Sequence, residues 1–227
     1  SIAAETNEVA ERDLVRAEVL GIPVAFVILV VVFGALVAAS LPMVLTVFAI
    51  VIALGAAALI GQVFQLSFFV TNMITMIGLA VGVDYSLFIV SRYREERARG
   101  LGKDDAIARA GATANRAVLF SGLTVVLALS GMLIIPTVLF QSLGLGAVLV
   151  VIVAVAASLT LLPAVLSLVG DGVNRLRLPL TGRTRAKADA DGSAGFWDWW
   201  SRGVMRRPVI SLVASAGILV AAAVPFT

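Results

Sequence analysis

The segment GLAVGVDYSLFIVSRYRE, residues 78–95, decides how the whole chain is interpreted. Its first thirteen residues, Gly78 to Val90, are apolar or small except for Asp84 and the Tyr85 that follows it. A run of this kind is typical of a helix that crosses a membrane, where an ionisable side chain is rare and marks a function. The fold and the chemistry of this chain therefore both depend on why an aspartate stands at that position.

The composition of the chain excludes a soluble protein. Hydrophobic residues make up 60% of it, charged residues 14%, and the mean hydropathy is +1.06; a soluble domain carries about 25% charged residues. Cysteine and histidine are both absent, so disulfides, thiol chemistry, zinc sites and imidazole proton relays are not expected. The composition predicts an integral membrane protein with neither a metal nor another cofactor.

Apolar stretches divide the chain into predicted membrane spans, because a bilayer core of ~30 Å needs about 20 apolar residues per helix. A further span begins near Val209 and is still apolar at Thr227. Alternating segments typical of a membrane barrel are absent from the sequence, so the predicted fold is all-α: a polytopic bundle with five complete transmembrane helices and a truncated sixth. The five complete spans are Leu20–Ala39, Pro42–Ile60, Phe68–Val90, Ala117–Ile135 and Leu143–Val169. A tight turn is expected at residues 39–41, with Pro42 in the first turn of the second helix.

The lysines and arginines predict the orientation of the bundle. Seven fall between Arg92 and Arg116 and eight between Arg175 and Arg207, while the short connections 61–67 and 137–142 have none. By the positive-inside rule the basic loops 91–116 and 170–208 are cytoplasmic, and residues 1–19 lie outside. This placement also explains the calculated pI of 9.9 without nucleic-acid binding.

The flanks of the bundle complete the predicted domain organisation. Residues 1–19 form a charged stalk helix at the end of an extracytoplasmic domain, which implies that the chain begins inside a larger protein. Residues 20–170 form the five-helix module; within its basic loop a short amphipathic surface helix is capped by Asp104 or Asp105. Residues 171–206 form a cytoplasmic linker and a tryptophan-rich interfacial helix, and residues 207–227 begin the next span.

Asp84 lies roughly 10 Å inside the cytoplasmic boundary at 1.5 Å per residue, where insertion costs ~2.5–3.5 kcal/mol. Since no lysine or arginine occurs within the five spans, an ion pair there cannot offset this cost. Two interpretations remain: the carboxyl packs through a hydrogen bond to Ser121, or it is a titrating group whose charge state drives a function. For Tyr85, proton relay and amphipathic packing remain equally open.

Small residues beside Asp84 predict close helix packing. Gly78 and Gly82 form a small-xxx-small pair that, with Thr71, Thr75 and Tyr85, makes one weakly polar sector. Asp84 lies at the edge of this sector, so we expect it to face a seam between helices rather than lipid. Ser121 and Thr124 share a face of the fourth span that can turn towards that seam.

These residues resemble a known family. GLAVGVDYSLFIVSRYREE is similar to the Asp-Tyr helix of the mycobacterial membrane protein large (MMPL) family, within the resistance–nodulation–division (RND) superfamily. The segments DLVRAE at 13–18, NRAVLFSGLTVV at 115–126 and VMRRP at 204–208 also agree with that family's pattern. The resemblance covers nearly the whole chain. Members of the family have twelve spans in two homologous halves, and the resemblance implies that the spans of this chain correspond to the second to seventh of the twelve.

The resemblance also implies a function. In the family an Asp-Tyr pair, matched here by Asp84 and Tyr85, relays protons with a second pair on the tenth span, and Ser121 matches a serine position near that relay. The implied protein is not an enzyme but a secondary active transporter of the bacterial inner membrane. It would be driven by the proton-motive force to export lipids or other hydrophobic compounds. Its partners would be membrane lipids, the hydrophobic substrate and a missing C-terminal half with the second Asp-Tyr helix.

Other functions fit the same pattern. The five-helix unit also resembles sterol-sensing domains, so a lipid-sensing regulatory module is one alternative, and an RND-type accessory of protein export is another. The sensor predicts that neutralising Asp84 is tolerated while enlarging Gly78 or Gly82 is not. The chain taken alone is expected to be inactive, and an oligomer is a further expectation.

Overall fold

A computed structural model describes residues 21–31, 33–174 and 203–223, and almost all of them are helical. The stalk (1–19) and most of the linker and interfacial helix lie outside the described residues. The chain divides into two units, Ser1–Leu178 and Pro179–Thr227. The helices are α1 (Gly21–Val31), α2 (Leu36–Ile60), α3 (Phe69–Ala98), α4 (Lys103–Ala110), α5 (Arg116–Ser130), α6 (Val138–Val169) and α7 (Pro208–Ala223).

The described part of the chain has four helices that are long and apolar enough to cross a membrane, not the five predicted. They are α2, α3, the helical run Lys103–Ile134 that contains α5, and α6. Helix α1 is apolar but shorter than a full span over its described residues. The all-α membrane class is confirmed, whereas the count of five complete helices is not.

The boundary between the first two predicted spans was wrong. The chain breaks at Gly34, where φ is +62°, and at Ala35, which is extended. Helix α2 therefore begins at Leu36 and continues through the predicted turn, with Pro42 inside it rather than in its first turn. The hydrophobic run is continuous across this region, so its length could not locate the break; the glycine can adopt positive φ at no steric cost and does locate it.

The short amphipathic helix expected in the basic loop is present as α4, but its predicted cap was wrong. Helix α4 is continuous with the fourth span through one π turn, Gly111–Asn115, and the helical run ends with a 3-10 turn at Ile134. Its N-cap is Gly102, with no side-chain cap, so Asp104 and Asp105 lie in the first turn and do not cap the helix. Ala106 and Ala110 are buried on the inner side of α4, which explains why the segment packs on the bundle.

Helix α6 is the centre of the first unit. It packs against α3, α2 and α5, and α2 and α3 also pack against each other. In the most apolar 18-residue stretch of α6, 50% of the residues are buried, whereas in that of the helical run containing α5 only 11% are. Helix α6 begins at Val138, five residues before the predicted start, because Thr137 caps it by accepting a hydrogen bond from the Phe140 N–H at 3.4 Å. It ends at Val169, as predicted.

Candidate functional site: the exposed face of α3

Helix α3 has one face packed in the bundle and one that the described residues leave uncovered. The packed face follows the helical repeat and includes Ile74, Gly78, Gly82, Ser86, Val90 and Tyr93. The uncovered face runs along the opposite side through Met76, Ala80, Asp84, Phe88, Ser91 and Glu95. The acid that the sequence singles out therefore stands in the middle of a stripe that the rest of the described chain does not cover.

Asp84 makes no hydrogen bond or ion pair with any described residue. The hydrogen bond to Ser121, one of the two alternatives that the sequence left open, is absent among the described residues, and Ser121 is exposed on α5. The expectation that Asp84 faces a seam between helices does not hold for the described helices, since Asp84 is exposed. Within the described chain the carboxyl therefore has no group that offsets its charge in a bilayer. Any such group must be water or a residue outside the described part.

Tyr85 points towards α5 instead. Its side chain is half-buried, and its hydroxyl oxygen lies 3.6 Å from the position that a Cβ on Gly122 would take. Gly122 is buried against Val155 of α6, so the tyrosine reaches the point where α5 meets the bundle. The structure brings Tyr85 beside Gly122, the neighbour of Ser121, while Asp84 makes no hydrogen bond to Tyr85 or Ser121. The Thr124 hydroxyl donates to the Phe120 carbonyl oxygen at 2.9 Å within its own helix.

Gly78 and Gly82 lie at points where α3 packs closely against its neighbours. A Cβ at Gly78 would stand 2.7 Å from Cγ1 of Ile50 and 2.8 Å from Cγ2 of Val150. A Cβ at Gly82 would stand 2.7 Å from Oγ1 of Thr46. Such distances are below van der Waals contact, so only a glycine permits the observed spacing of α2, α3 and α6.

The far end of α3 carries a charged cluster that the sequence reasoning missed. Glu96 is buried, with 2% of its side chain exposed, and its Oε1 lies 3.0 Å from Nη2 of Arg92 and 2.7 Å from Nη1 of Arg99. The sequence predicts only a basic loop at residues 91–116 here. The signal was present, because Glu96 stands seven residues after Ile89 and three after Tyr93, on the packed face.

The same end of α3 is tied to two other connections. Arg94 donates to the Phe33 carbonyl oxygen at 2.9 Å and stands over the Phe33 ring, 5.4 Å from its centroid. The Tyr93 hydroxyl donates to the Gly170 carbonyl oxygen at 3.4 Å. Helix α3 therefore continues two turns beyond the predicted span and fixes the chain before α2 and after α6.

A cavity of about 280 Å³ opens beside this cluster, between α3 and the π turn. It is lined by Phe88, Ser91, Arg92, Glu95 and Thr113. Phe88 stands one helical turn from Asp84 on the uncovered face, so the cavity approaches the acid from the arginine-rich end of the helix. Among the described residues there is no group of three or more acidic side chains that could hold a metal ion.

The fold and this site define a multi-pass helical membrane protein with an acidic group on an unpaired helix face. The profile of the MMPL family matches residues 1–211. The chain belongs to the MMPL family.

Named relatives agree with this assignment. Over 99% of its length the chain is 40% identical to the mycolic acid-containing lipids exporter MmpL11 of Mycolicibacterium smegmatis. Over its whole length it is 39% identical to the heme uptake protein MmpL11 of Mycobacterium tuberculosis. Over 92% of its length it is 32% identical to the trehalose monomycolate exporter MmpL3 of Mycolicibacterium smegmatis. The chain spans 23% of the length of each of these three relatives.

Proposed function

We propose that the full-length protein exports lipids or similar hydrophobic compounds across the bacterial inner membrane and is driven by protons that bind Asp84. The observation that carries this proposal is the place of Asp84, exposed at the centre of the uncovered face of an otherwise apolar helix. Two relatives are named as exporters of mycolic acid-containing lipids and of trehalose monomycolate, which supports a lipid as cargo.

The coupling follows from the charge of the carboxyl. When Asp84 is protonated, the cost of a carboxylate in the membrane disappears and a neighbouring helix can pack against it. When the proton leaves, the charge favours an arrangement in which water or a polar group reaches it. A proton that falls through 100 mV supplies ~2.3 kcal/mol, which is of the size needed to bias two such arrangements.

The uncovered face also supports a place for the second half of the transporter. Since no described residue pairs with Asp84, we propose that a helix carrying a second Asp-Tyr pair packs along α3, beside Tyr85 and Ser121. The positions of the basic residues support an orientation with the α3–α4 connection in the cytoplasm. This orientation places the cavity on the cytoplasmic side.

The test is Asp84→Asn in the full-length protein at matched abundance in the membrane. Asparagine keeps the size and hydrogen bonding of the side chain but cannot carry a proton, so lipid export should fall to background. The matched control is Asp104→Asn, the same change at a carboxylate that is 87% exposed in the first turn of α4, which should leave export unchanged.

Persistence of export in Asp84→Asn would contradict proton coupling at this residue and favour the sensor alternative.

The name of the Mycobacterium tuberculosis relative makes haem a second candidate cargo. Export of labelled lipid and movement of haem, both measured in the wild-type protein, decide between these cargoes.

A further inference from the structure

Two arginines on the helical run Lys103–Ile134 differ from the other basic residues at this end of the bundle. Seven lysines and arginines fall between Arg92 and Arg116. Five of them bind a carboxylate or a backbone carbonyl oxygen of the described chain: Arg92, Arg94, Arg97, Arg99 and Lys103. Arg109 and Arg116 have no such partner among the described residues, and both are exposed. Their charges are therefore available to a ligand.

Both arginines lie next to the lipid-facing part of this run. The buried side of the run repeats every four residues from Ala106 to Gly122, and the arginines lie on its exposed side. Seven residues separate them, roughly 10 Å at 1.5 Å per residue, so their long side chains can approach one headgroup. After Arg116 the exposed side is apolar, with at least half of each of these side chains exposed: Leu119, Phe120, Leu123 and Leu127. The sequence of charge and then apolar surface places the two cations at the level of the lipid headgroups.

The guanidinium of Arg116 is oriented by the ring that follows it on the helix. Its Cζ stands 5.7 Å from the centroid of the Phe120 ring, one turn further along the run. A guanidinium that stacks on a ring keeps the N–H groups at its edge available, and its planar fork matches the oxygens of a phosphate. A phosphate group is therefore the anion that this arrangement fits.

The cavity between α3 and the π turn lies beside the two arginines. Thr113, about one turn from each of them, lines it together with Phe88 of α3. Its charged groups, Arg92 and Glu95, pair with each other at 2.7 Å, and the Thr113 hydroxyl donates to the Arg109 carbonyl oxygen at 3.2 Å. The lining is otherwise mostly apolar. The cavity therefore suits the first part of an acyl chain.

We propose that Arg109 and Arg116 bind the headgroup of an anionic phospholipid of the cytoplasmic leaflet, with the start of one acyl chain in this cavity. Charge complementarity decides the occupant, because basic residues at the cytoplasmic surface of a membrane attract lipids that carry a net negative charge. A zwitterionic lipid adds an ammonium group that the same two cations repel. The site goes beyond the proposed export function: it depends on the orientation of the bundle in the membrane and not on protonation of Asp84.

The first experiment measures which lipid lies next to Arg116 in the full-length protein. The chain contains no cysteine, so a single cysteine that carries a fluorophore can replace the exposed Ala117 in a full-length protein freed of any others. In proteoliposomes, quenching by acyl-brominated phosphatidylglycerol or phosphatidylcholine gives the relative binding constant of the two lipids. The anionic lipid should be preferred at least about tenfold at Ala117, whereas a fluorophore at Leu127, further along the same span, should show no preference. Equal binding of both lipids at Ala117 would overturn the proposal and leave the arginines to a soluble or protein partner.

The second experiment removes the two charges. Arg109→Gln and Arg116→Gln should each lower the preference at Ala117 about fivefold, and the two changes together should abolish it. The matched control combines Arg206→Gln with Arg207→Gln, which removes the same charge from exposed residues before α7 and should leave the preference unchanged. Equal losses in the two double variants would show that net charge attracts the lipid, and would refute a site at Arg109 and Arg116.

Two further measurements use the protein with both arginines in place. In 1 M salt the preference at Ala117 should fall severalfold, since the Debye length shortens to ~3 Å. A preference that does not respond to salt would contradict recognition by charge. A fluorophore at Ser91, which lines the cavity, should show the same preference as one at Ala117. If only Ala117 shows it, the placement of the acyl chain in the cavity is wrong.

Discussion

At the scale of the residue, two adjacent glutamates show that chemistry depends on the helix face. Glu95 and Glu96 have the same side chain and the same arginine neighbour, yet one is half-exposed and the other is buried. The buried carboxylate has lost its hydration and depends on Arg92 and Arg99 for compensation. Its second oxygen, Oε2, is buried with no partner among the described residues, so the cluster is sensitive to any change in it.

We expect Glu96→Ala to lower the free energy of unfolding by about 2 kcal/mol. Removing one member of a buried pair costs ~3–5 kcal/mol, and the side chain of Arg99, 59% exposed, remains partly hydrated after the change. Glu95→Ala is the matched control and should cost less than about 1 kcal/mol, as exposed pairs do. Thermal unfolding of the two variants in detergent measures the difference; equal losses would show that burial of Glu96 does not matter.

At the scale of the element, glycines decide how closely the helices approach. On α3, Gly78 and Gly82 face α2 and α6 at distances that leave no room for a methyl group. On α2, Gly55 has nothing within 4 Å of the position of its Cβ. Glycines therefore set the packing distance on α3, whereas Gly55 on α2 lies at a position without such a contact.

We expect Gly78→Ala to destabilise the bundle by about 1–2 kcal/mol. Overpacking costs typically ~1–3 kcal/mol, and the better helix propensity of alanine returns at most about 1 kcal/mol. Gly55→Ala, which gains the propensity without the clash, should be neutral or stabilising. The apparent melting temperature should fall for Gly78→Ala and stay the same or rise for Gly55→Ala, and a loss of the same size in both would refute a packing role for Gly78.

At the scale of the whole molecule, burial between helices matters more than hydrophobicity. Lipid tails are as apolar as leucine, so a membrane bundle gains stability from packing and not from the removal of apolar surface from water. Val150 on α6 is fully buried, while Val47 on α2 is 57% exposed. The stabilising contacts of the first unit are therefore concentrated on α6.

We expect Val150→Ala to lower the free energy of unfolding by about 2 kcal/mol, because it leaves a cavity where α6 meets its neighbours. Val47→Ala removes the same atoms from an exposed position and should change stability by less than about 0.5 kcal/mol. Unfolding in detergent at matched conditions compares the two. Similar losses would mean that α6 is not the packing centre.

The sequence by itself determined the membrane class, the helical fold and the candidate site residues. Composition and the length of the apolar runs depend only on the chemistry of the side chains, so they predicted the approximate positions of α3, α6 and the start of α7. The resemblance of the segment around Asp84 to the MMPL family was confirmed by the family match over residues 1–211. The roles of Asp84, Tyr85 and Ser121 stay predictions.

Only the tertiary structure decided where the apolar run before Ile60 breaks and which faces are covered. The positive φ at Gly34 is a property of the local backbone that hydropathy does not detect. The predicted turn at residues 39–41 was wrong for this reason. The burial of Glu96, the exposure of Asp84 and the cavity at Ser91 depend on which helices pack against α3. Packing brings together side chains that are far apart in the chain. The periodic pattern of one helix shows which of its faces is apolar, but it does not show which other helix packs against each face.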